Sequence, residues 1–289
     1  MPIAWVFPGQ GSQSTGMALG LAEVGADKFA TAESILGWSV WEMSQADPLT
    51  LAQTQYTQPC IYTVSAILTD RLRLQGHQPH LVAGHSLGEY SALYAVGVLT
   101  FAEGLRLVKE RSLLMAQTTG GKMTALIGFD RHKLNDLVAA QPEVVIANDN
   151  SPDQVVISGT ATAVDNIVQQ LGAKRAVPLP VSGAFHSPLM AEAEAKLAEI
   201  IASTNFCDPQ CPVLLNSDPT TPLTDGASIK QRLLTQITAP VRWREIGLYL
   251  QNAGFDEVWE VGPGRVLTGL LKRTAPQLKL RNVDSLANC

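Results

Sequence analysis

The chain has 289 residues, 46% of them hydrophobic and 16% charged, with a formal net charge of −5. That length can bury a large core, as one big domain or a domain with an insertion, and the composition excludes a disordered chain. The acidic balance, without any Lys/Arg-rich run, argues against a nucleic-acid binder but permits a local basic patch for an acidic protein partner.

Residues 3–7 are a short apolar run closed by Pro8, which predicts a buried first strand. Pro8-Gly9-Gln10-Gly11-Ser12-Gln13 follows as a glycine loop. A dinucleotide fingerprint would need its third glycine where Ser14 stands, and a Walker loop would need Gly-Lys-Ser/Thr next. What remains is a tight turn, or a loop whose N–H groups approach a ligand closely enough to complete an oxyanion hole. Residues 59–74 read as a mostly apolar helix, stopped by Gly76 and packed beside the next strand.

In Leu81-Val82-Ala83-Gly84-His85-Ser86-Leu87-Gly88-Glu89-Tyr90, a strand-like run stops at Gly84 and a helical pattern resumes after Gly88. Ser86 between two glycines on a strand-to-helix turn has the context of a nucleophile elbow. The glycines let strand and helix approach closely, and the unpaired N–H groups of the helix start would face an oxyanion beside the hydroxyl. The alternative is a glycine-rich turn whose serine caps a helix.

Thr100-Phe101-Ala102-Glu103 is a capping box that opens a helix to about residue 117. On it, Arg106 has Ala102, Glu103, Lys109 and Glu110 as helical neighbours and belongs to a solvated face. Arg111 has Leu107, Val108, Leu114 and Met115, and so interrupts an apolar stripe. A buried guanidinium cannot shed its proton and needs an anion. Pattern alone favours an internal carboxylate; the functional alternative is a fork for a substrate carboxylate.

Residues 123–128 read as a strand, 130–140 as a helix, 143–147 and 155–158 as strands around a turn-rich 148–153, 162–172 as a helix and 175–179 as a strand. This β-α-β-β-α-β order is that of a ferredoxin-like unit, assigned to residues 121–187 and inserted in a larger domain of residues 1–120 and 188–289. Beyond it, Ser187-Pro188 starts a helix to about residue 204; 213–215, 257–261 and 280–283 read as strands, and 265–273 as a helix. The fold class is therefore α/β: a hydrolase-like, mostly parallel sheet domain with an inserted ferredoxin-like subdomain.

A serine nucleophile needs a base. Of five histidines, His77 and His80 lie in a polar loop and His132 on a polar helix face, while His85 adjoins Ser86 on a sharp turn, where it packs or bonds the backbone. His186 remains, either as catalytic base or as a satisfied buried histidine. Asp130, Asp136, Asp149, Asp153 and Asp165 all fall inside the inserted unit, none at the end of a main-sheet strand. A dyad, with His186 oriented by a backbone carbonyl, is therefore as plausible as a triad.

No apolar span reaches membrane length, and Met1-Pro2-Ile3-Ala4-Trp5 lacks the basic start of a signal peptide. Cys60, Cys207, Cys211 and Cys289 are too few and scattered for a disulfide framework, and no partner cluster makes zinc plausible. A cytoplasmic, reduced protein without metal is expected.

Together these motifs resemble the malonyl-CoA:acyl carrier protein transacylases over nearly the whole chain. The matching stretches are Phe7-Pro8-Gly9-Gln10-Gly11-Ser12-Gln13, Gly84-His85-Ser86-Leu87-Gly88-Glu89-Tyr90-Ser91-Ala92 and Arg111 on its helix. Further on are Asn150-Ser151-Pro152-Asp153-Gln154-Val155-Val156-Ile157-Ser158-Gly159, Ala184-Phe185-His186-Ser187-Pro188-Leu189-Met190 and Glu260-Val261-Gly262-Pro263-Gly264. The resemblance implies Ser86 as nucleophile, His186 as base, the N–H groups of Gln10 and Leu87 as oxyanion hole, and Arg111 as partner of the malonyl carboxylate. It implies the Gln236 carbonyl as the group that orients the histidine, and Phe185 as the selectivity residue where methylmalonyl-selective relatives carry serine. It also implies malonyl-CoA and acyl carrier protein as partners, fatty acid synthesis as the setting, and no cofactor, coenzyme A thioester being a substrate. Lys174, Arg175, Arg265, Lys272 and Arg273 are candidate carrier-docking residues, with ordinary solvated charges as the alternative. A serine thioesterase or esterase, and a non-catalytic acyl-carrier-binding protein, are the rival readings.

Overall fold

The computed structural model describes residues 2–181 and 183–289. Ten strands form two sheets among these residues: β1 Ile3–Phe7, β2 Leu81–Gly84, β3 Gly121–Ile127, β4 Val144–Ser151, β5 Gln154–Thr160, β6 Arg175–Pro178, β7 Val213–Leu215, β8 Asp218–Leu223, β9 Glu257–Val261 and β10 Lys279–Val283. The six-stranded sheet runs β10-β9-β1-β2-β7-β8, parallel throughout except for the antiparallel edge β8. Pro219 and Pro222 suit β8 to that edge, where missing N–H donors cost no ladder bond.

Side chains alternate across this sheet with period two. Trp5 and Phe7 enter one core with Val82, Leu87 and the helices Thr54–Leu74 and Phe101–Gln117, whereas Ala4 and Val6 enter the other with Leu81, Leu214, Trp243 and Leu271. Burial on both faces explains why the central strands are nearly all apolar. Among the described residues, no helix is long and apolar enough to cross a membrane.

The second sheet is antiparallel, in the order β4-β5-β3-β6. With the helices Arg131–Ala139 and Ala161–Leu171 it has the ferredoxin-like arrangement and its own core of Leu126, Ile157, Leu134, Val164 and Ile167.

The structure departs from the sequence expectations in the following places. The helix expected from Pro59 begins at Thr54 and runs through the proline. An interior proline lacks the N–H of one intrahelical bond, and the rest of the helix continues around it. This helix packs chiefly on the helices Gly88–Ala95 and Phe101–Gln117. Asn148-Asp149-Asn150-Ser151, expected in a turn, belong to β4, which absorbs them with register shifts between Ile146/Asn148 and Asp149/Ser151. Finally, β8 had no period-two signal and was not foreseen.

The end of β4 is fastened to the main unit. Asp149 N–H donates to the Val241 carbonyl at 2.9 Å, and Val241 N–H to Ala147 at 2.8 Å. The Asp149 carboxylate pairs with both Arg131 and Arg244, at 3.0 and 2.8 Å.

Candidate active site

The parallel strands β1, β2 and β7 end on one side, and the loops that follow them meet there. Ser86 sits between β2 and the helix Gly88–Ala95 with φ +52°. The flanking glycines are sterically required: a Cβ on Gly84 would lie 1.9 Å from the Gly88 carbonyl carbon, and one on Gly88 would lie 2.0 Å from the Phe7 oxygen. Asn216, directly after β7, clamps the turn. Its Oδ1 accepts the Ser86 N–H at 2.7 Å and its Nδ2 donates to the Gly84 carbonyl at 2.5 Å. Ser86 and His186 are the non-glycine residues with positive φ among the described residues, and such backbone strain costs about 1–3 kcal/mol each.

His186 meets the serine from the far side of the chain: Nε2 is 2.7 Å from Ser86 Oγ. Its Nδ1 faces two main-chain carbonyls, Ala239 at 2.9 Å and Gln236 at 3.2 Å. Carbonyls only accept, so Nδ1 carries the proton and Nε2 is free to accept from the hydroxyl. Burial, and then the Arg111 charge, push the imidazole down to about 3, so it is neutral in the physiological range. The Gln236 carbonyl thus lies at the histidine, together with a closer one, Ala239, that sequence reasoning missed.

Arg111 is 1% exposed, and no carboxylate pairs with it among the described residues. Three neutral oxygens take its donors: Nε reaches Gln236 Oε1 at 3.1 Å, Nη1 reaches Gln58 Oε1 at 2.7 Å, and Nη2 reaches Ser86 Oγ at 2.9 Å. The internal carboxylate that the helical pattern favoured is therefore absent from the guanidinium's contacts. Three neutral acceptors suffice to solvate it while leaving its charge uncancelled. The nearest buried carboxyl, Glu89, bonds the Asn216 N–H at 2.5 Å and Gln236 Nε2 at 2.7 Å instead.

Phe185 is 5% exposed and lines the cavity in front of Ser86, with Met115, Met123 and Gln10. The cavity opens to solvent between the two sheets, with about 480 Å³ of empty space including its mouth. Gln10 lies in the glycine loop, which abuts the elbow so closely that a Cβ on Gly9 would come 2.4 Å from the His85 oxygen. The Glu260-Val261-Gly262-Pro263-Gly264 motif braces this loop: a Cβ on Gly262 would lie 2.8 Å from the Pro8 ring, and one on Gly264 would lie 2.8 Å from the Ser12 oxygen. Leu87 is buried in the first turn of the elbow, where helix geometry leaves N–H groups unpaired. The Ser86 N–H is already committed to Asn216.

The His85 ring packs 5.6 Å from that of Trp243, as expected, and its Nε2 meets Asn150 Oδ1 at 2.8 Å. Among the basic candidates, Arg265 pairs with Asp284 at 3.4 Å, and Arg273 reaches Asp153 at 3.4 Å and Gln154 at 2.9 Å. Lys174, Arg175 and Lys272 are exposed. Gln58, Asn216, Glu89 and Ala239 carried no sequence signal of their own. Among the described residues, no group of three or more His, Cys, Asp or Glu could hold a metal ion.

A Ser–His pair on a strand-to-helix elbow, with a buried arginine at the hydroxyl, has the arrangement found in α/β enzymes of acyl transfer and hydrolysis. The chain matches the acyl transferase domain model over residues 4–286, and it belongs to that family. It is 53% identical over 288 residues to the malonyl CoA-acyl carrier protein transacylase of Synechocystis sp., covering 99% of this chain and 98% of the relative. The crystal structure of the Synechocystis sp. PCC 6803 malonyl-CoA:ACP transacylase superposes with a TM-score of 0.98, at 53% identity and 100% and 99% coverage. A malonyl-transacylase solved in complex with a type II PKS acyl-carrier protein superposes at 0.94, with 39% identity and 100% and 97% coverage.

Proposed function

We propose that this acyltransferase moves a malonyl group from malonyl-CoA to the phosphopantetheine thiol of acyl carrier protein, for fatty acid synthesis, through a malonyl ester on Ser86. The observation that carries this reading is the buried Arg111, whose Nη2 stands 2.9 Å from Ser86 Oγ with no carboxylate of its own. A malonyl group on that oxygen ends in a carboxylate two carbon–carbon bonds beyond the ester carbonyl, within the compass of the guanidinium. A neutral acyl group would leave the arginine without an anion.

The neutral His186 accepts the Ser86 proton at Nε2 as Oγ bonds to the thioester carbon. The Leu87 and Gln10 N–H groups receive the negative oxygen; the Ser86 N–H is withheld by Asn216. Collapse breaks the carbon–sulfur bond, and the coenzyme A thiolate takes the proton from His186. The carrier's thiol then attacks the ester by the same steps in reverse, with His186 accepting the thiol proton and returning it to Oγ. The Ala239 and Gln236 carbonyls orient the imidazole in place of a carboxylate. Phe185, beside the acyl pocket, is the residue that would meet an α-methyl group; one methyl rarely gives more than about 1–3 kcal/mol of discrimination.

The reading needs no cofactor and implies a cytoplasmic setting. It divides the chain into a discontinuous catalytic domain, residues 1–120 and 188–289, and an inserted subdomain, residues 121–187, a division supported by the separate sheets and cores. Initial velocities with malonyl-CoA and carrier protein as varied substrates test it. Parallel double-reciprocal lines and malonyl-carrier product are expected. Free malonate released at the same rate without carrier would make the protein a thioesterase, and carrier binding without any turnover would make it a binding protein.

A further inference from the structure

Glu89 is 2% exposed, lies one turn after the nucleophile, and takes no part in the chemistry above. Its two oxygens have different tasks. Oε1 accepts the Asn216 backbone N–H, and Oε2 accepts Gln236 Nε2. That amide nitrogen also donates to the Ser86 carbonyl at 2.7 Å, while the other end of the amide, Oε1, accepts from Arg111 Nε. The Gln236 side chain therefore has two acceptors on one side and a cation on the other. Turned over, it would set its oxygen against a carboxylate and a carbonyl, and its NH₂ against a guanidinium N–H.

We propose that Glu89 is a positioning residue whose carboxylate fixes the orientation of the Gln236 amide, and through it aims Arg111 at Ser86 and at the acyl carboxylate. This rests on the reading of Arg111 given above. With Nε held by Gln236 Oε1, the guanidinium keeps its Nη2 donor at the nucleophile. Glu89 touches neither substrate nor the reacting atoms; it acts at one remove, on selectivity for a charged acyl group.

Glu89→Gln separates the two tasks. The new amide oxygen can still accept from Asn216 N–H, so the elbow clamp survives. Its NH₂ then faces the Gln236 NH₂, and Gln236 must turn over, presenting a donor to Arg111 Nε and abandoning the Ser86 carbonyl. Protonation of Glu89 does the same in the unaltered enzyme. Burial pushes this carboxyl up to about 7, against the opposing pull of Asn216, Gln236 and Arg111. Of the groups around it, Arg111 comes from the facing helix and Tyr90 from its own, while Asn216 and Gln236 are neutral. Tyr90 is pushed up to about 12 by burial, His85 is lowered by burial and bonds Asn150 away from the guanidinium, and the lowered His186 acts on Ser86 whatever the acyl group.

The test is the ratio of second-order rate constants for acylation of Ser86 by malonyl-CoA and by acetyl-CoA, read by quenched mass spectrometry. Glu89→Gln should lower that ratio about tenfold or more while acetylation stays within about threefold of the parent. In an Arg111→Ala background the same change should have no effect on the ratio, since there is no guanidinium left to aim. In the unaltered enzyme the ratio should fall by about tenfold from about pH 8.5 to about pH 5.5, a range in which the malonyl carboxylate stays ionised and coenzyme A titrates identically for both substrates. Equal losses for both substrates in Glu89→Gln, or the same loss with and without Arg111, would overturn the proposal. Should the variant fail to fold, a ratio flat with pH would overturn it alone. If Arg111→Ala itself leaves the ratio unchanged, the reading of Arg111 fails; if Arg111→Ala collapses the ratio and Glu89→Gln does not, only the role of Glu89 fails.

Discussion

Arg111 Nη2 donates to Ser86 Oγ at 2.9 Å, on the same hydroxyl that His186 Nε2 meets at 2.7 Å. One oxygen is thus held between a guanidinium donor and a neutral imidazole that can take its proton. The guanidinium has neutral partners only, so its charge remains available to an incoming anion.

Arg111→Ala should reduce kcat/KM for malonyl-CoA by a factor equivalent to about 2–5 kcal/mol, the usual cost of truncating one partner of a buried charge pair. Acetyl transfer should fall far less. Arg111→Lys should not restore activity, because an ammonium cannot reach Gln236, Gln58 and the serine at once. Steady-state kinetics on both thioesters check this.

Asn216→Ala removes the acceptor of the Ser86 N–H and the donor to Gly84. Two buried hydrogen bonds of about 1 kcal/mol each are lost, and the Gly84 carbonyl is left unsatisfied, so a stability loss of about 2–4 kcal/mol is expected. The freed elbow should relax from φ +52°, lowering kcat with little change in KM. Urea unfolding and initial rates give both quantities.

Gly88→Ala and Gly11→Ala make a contrast of mechanism. At Gly88 a methyl would lie 2.0 Å from a backbone oxygen, so a loss above about 3 kcal/mol, or failure to fold, is expected. At Gly11 nothing lies within 4 Å, and the cost is backbone strain at φ +104°, about 1–2 kcal/mol. Comparable melting temperatures for the two variants would contradict the close approach of β1 and the elbow.

The buried base leaves a signature in stability against pH. His186 is lowered from 6.5 to about 3, so between those values the unfolded chain holds a proton that the folded one does not. Its contribution is complete above pH 6.5 and lost as the pH falls toward 3. Glu89 works in the opposite sense between 4.5 and about 7, where the folded state holds the extra proton and stability falls as pH rises. Relative to His186→Gln, the parent should therefore gain more than about 1 kcal/mol on going from about pH 4 to about pH 6.5. Denaturant titrations at a series of pH values measure the difference.

The parts of the site legible in the sequence were those announced by local chemistry. The glycines around Ser86 mark a strained turn, Arg111 interrupts a stripe, and His186 precedes a helix start. The parts that were not legible arise from contacts across long stretches of chain: Asn216 meets Ser86 from 130 residues away, Gln236 meets Glu89 from 147, and Gln58 meets Arg111 from 53. Nothing local distinguishes those amides from surface ones. The alternation of strands and helices disclosed the two-unit fold, because buried parallel strands and a β-α-β-β-α-β order are periodic signals. The end of β4 was hidden because Asn148 and Asp149 are held in an extended path by Val241 and two arginines of other segments, against their turn preference. For Arg111, helical spacing shows that a charge is buried but not what answers it.

The most direct measurement is intact-protein and peptide mass spectrometry after brief exposure to malonyl-CoA. One malonyl adduct is expected, mapped to Ser86, absent from Ser86→Ala and discharged on adding the carrier's thiol. An adduct that forms equally on Ser86→Ala, or transfer to the carrier without any adduct on the enzyme, would contradict it.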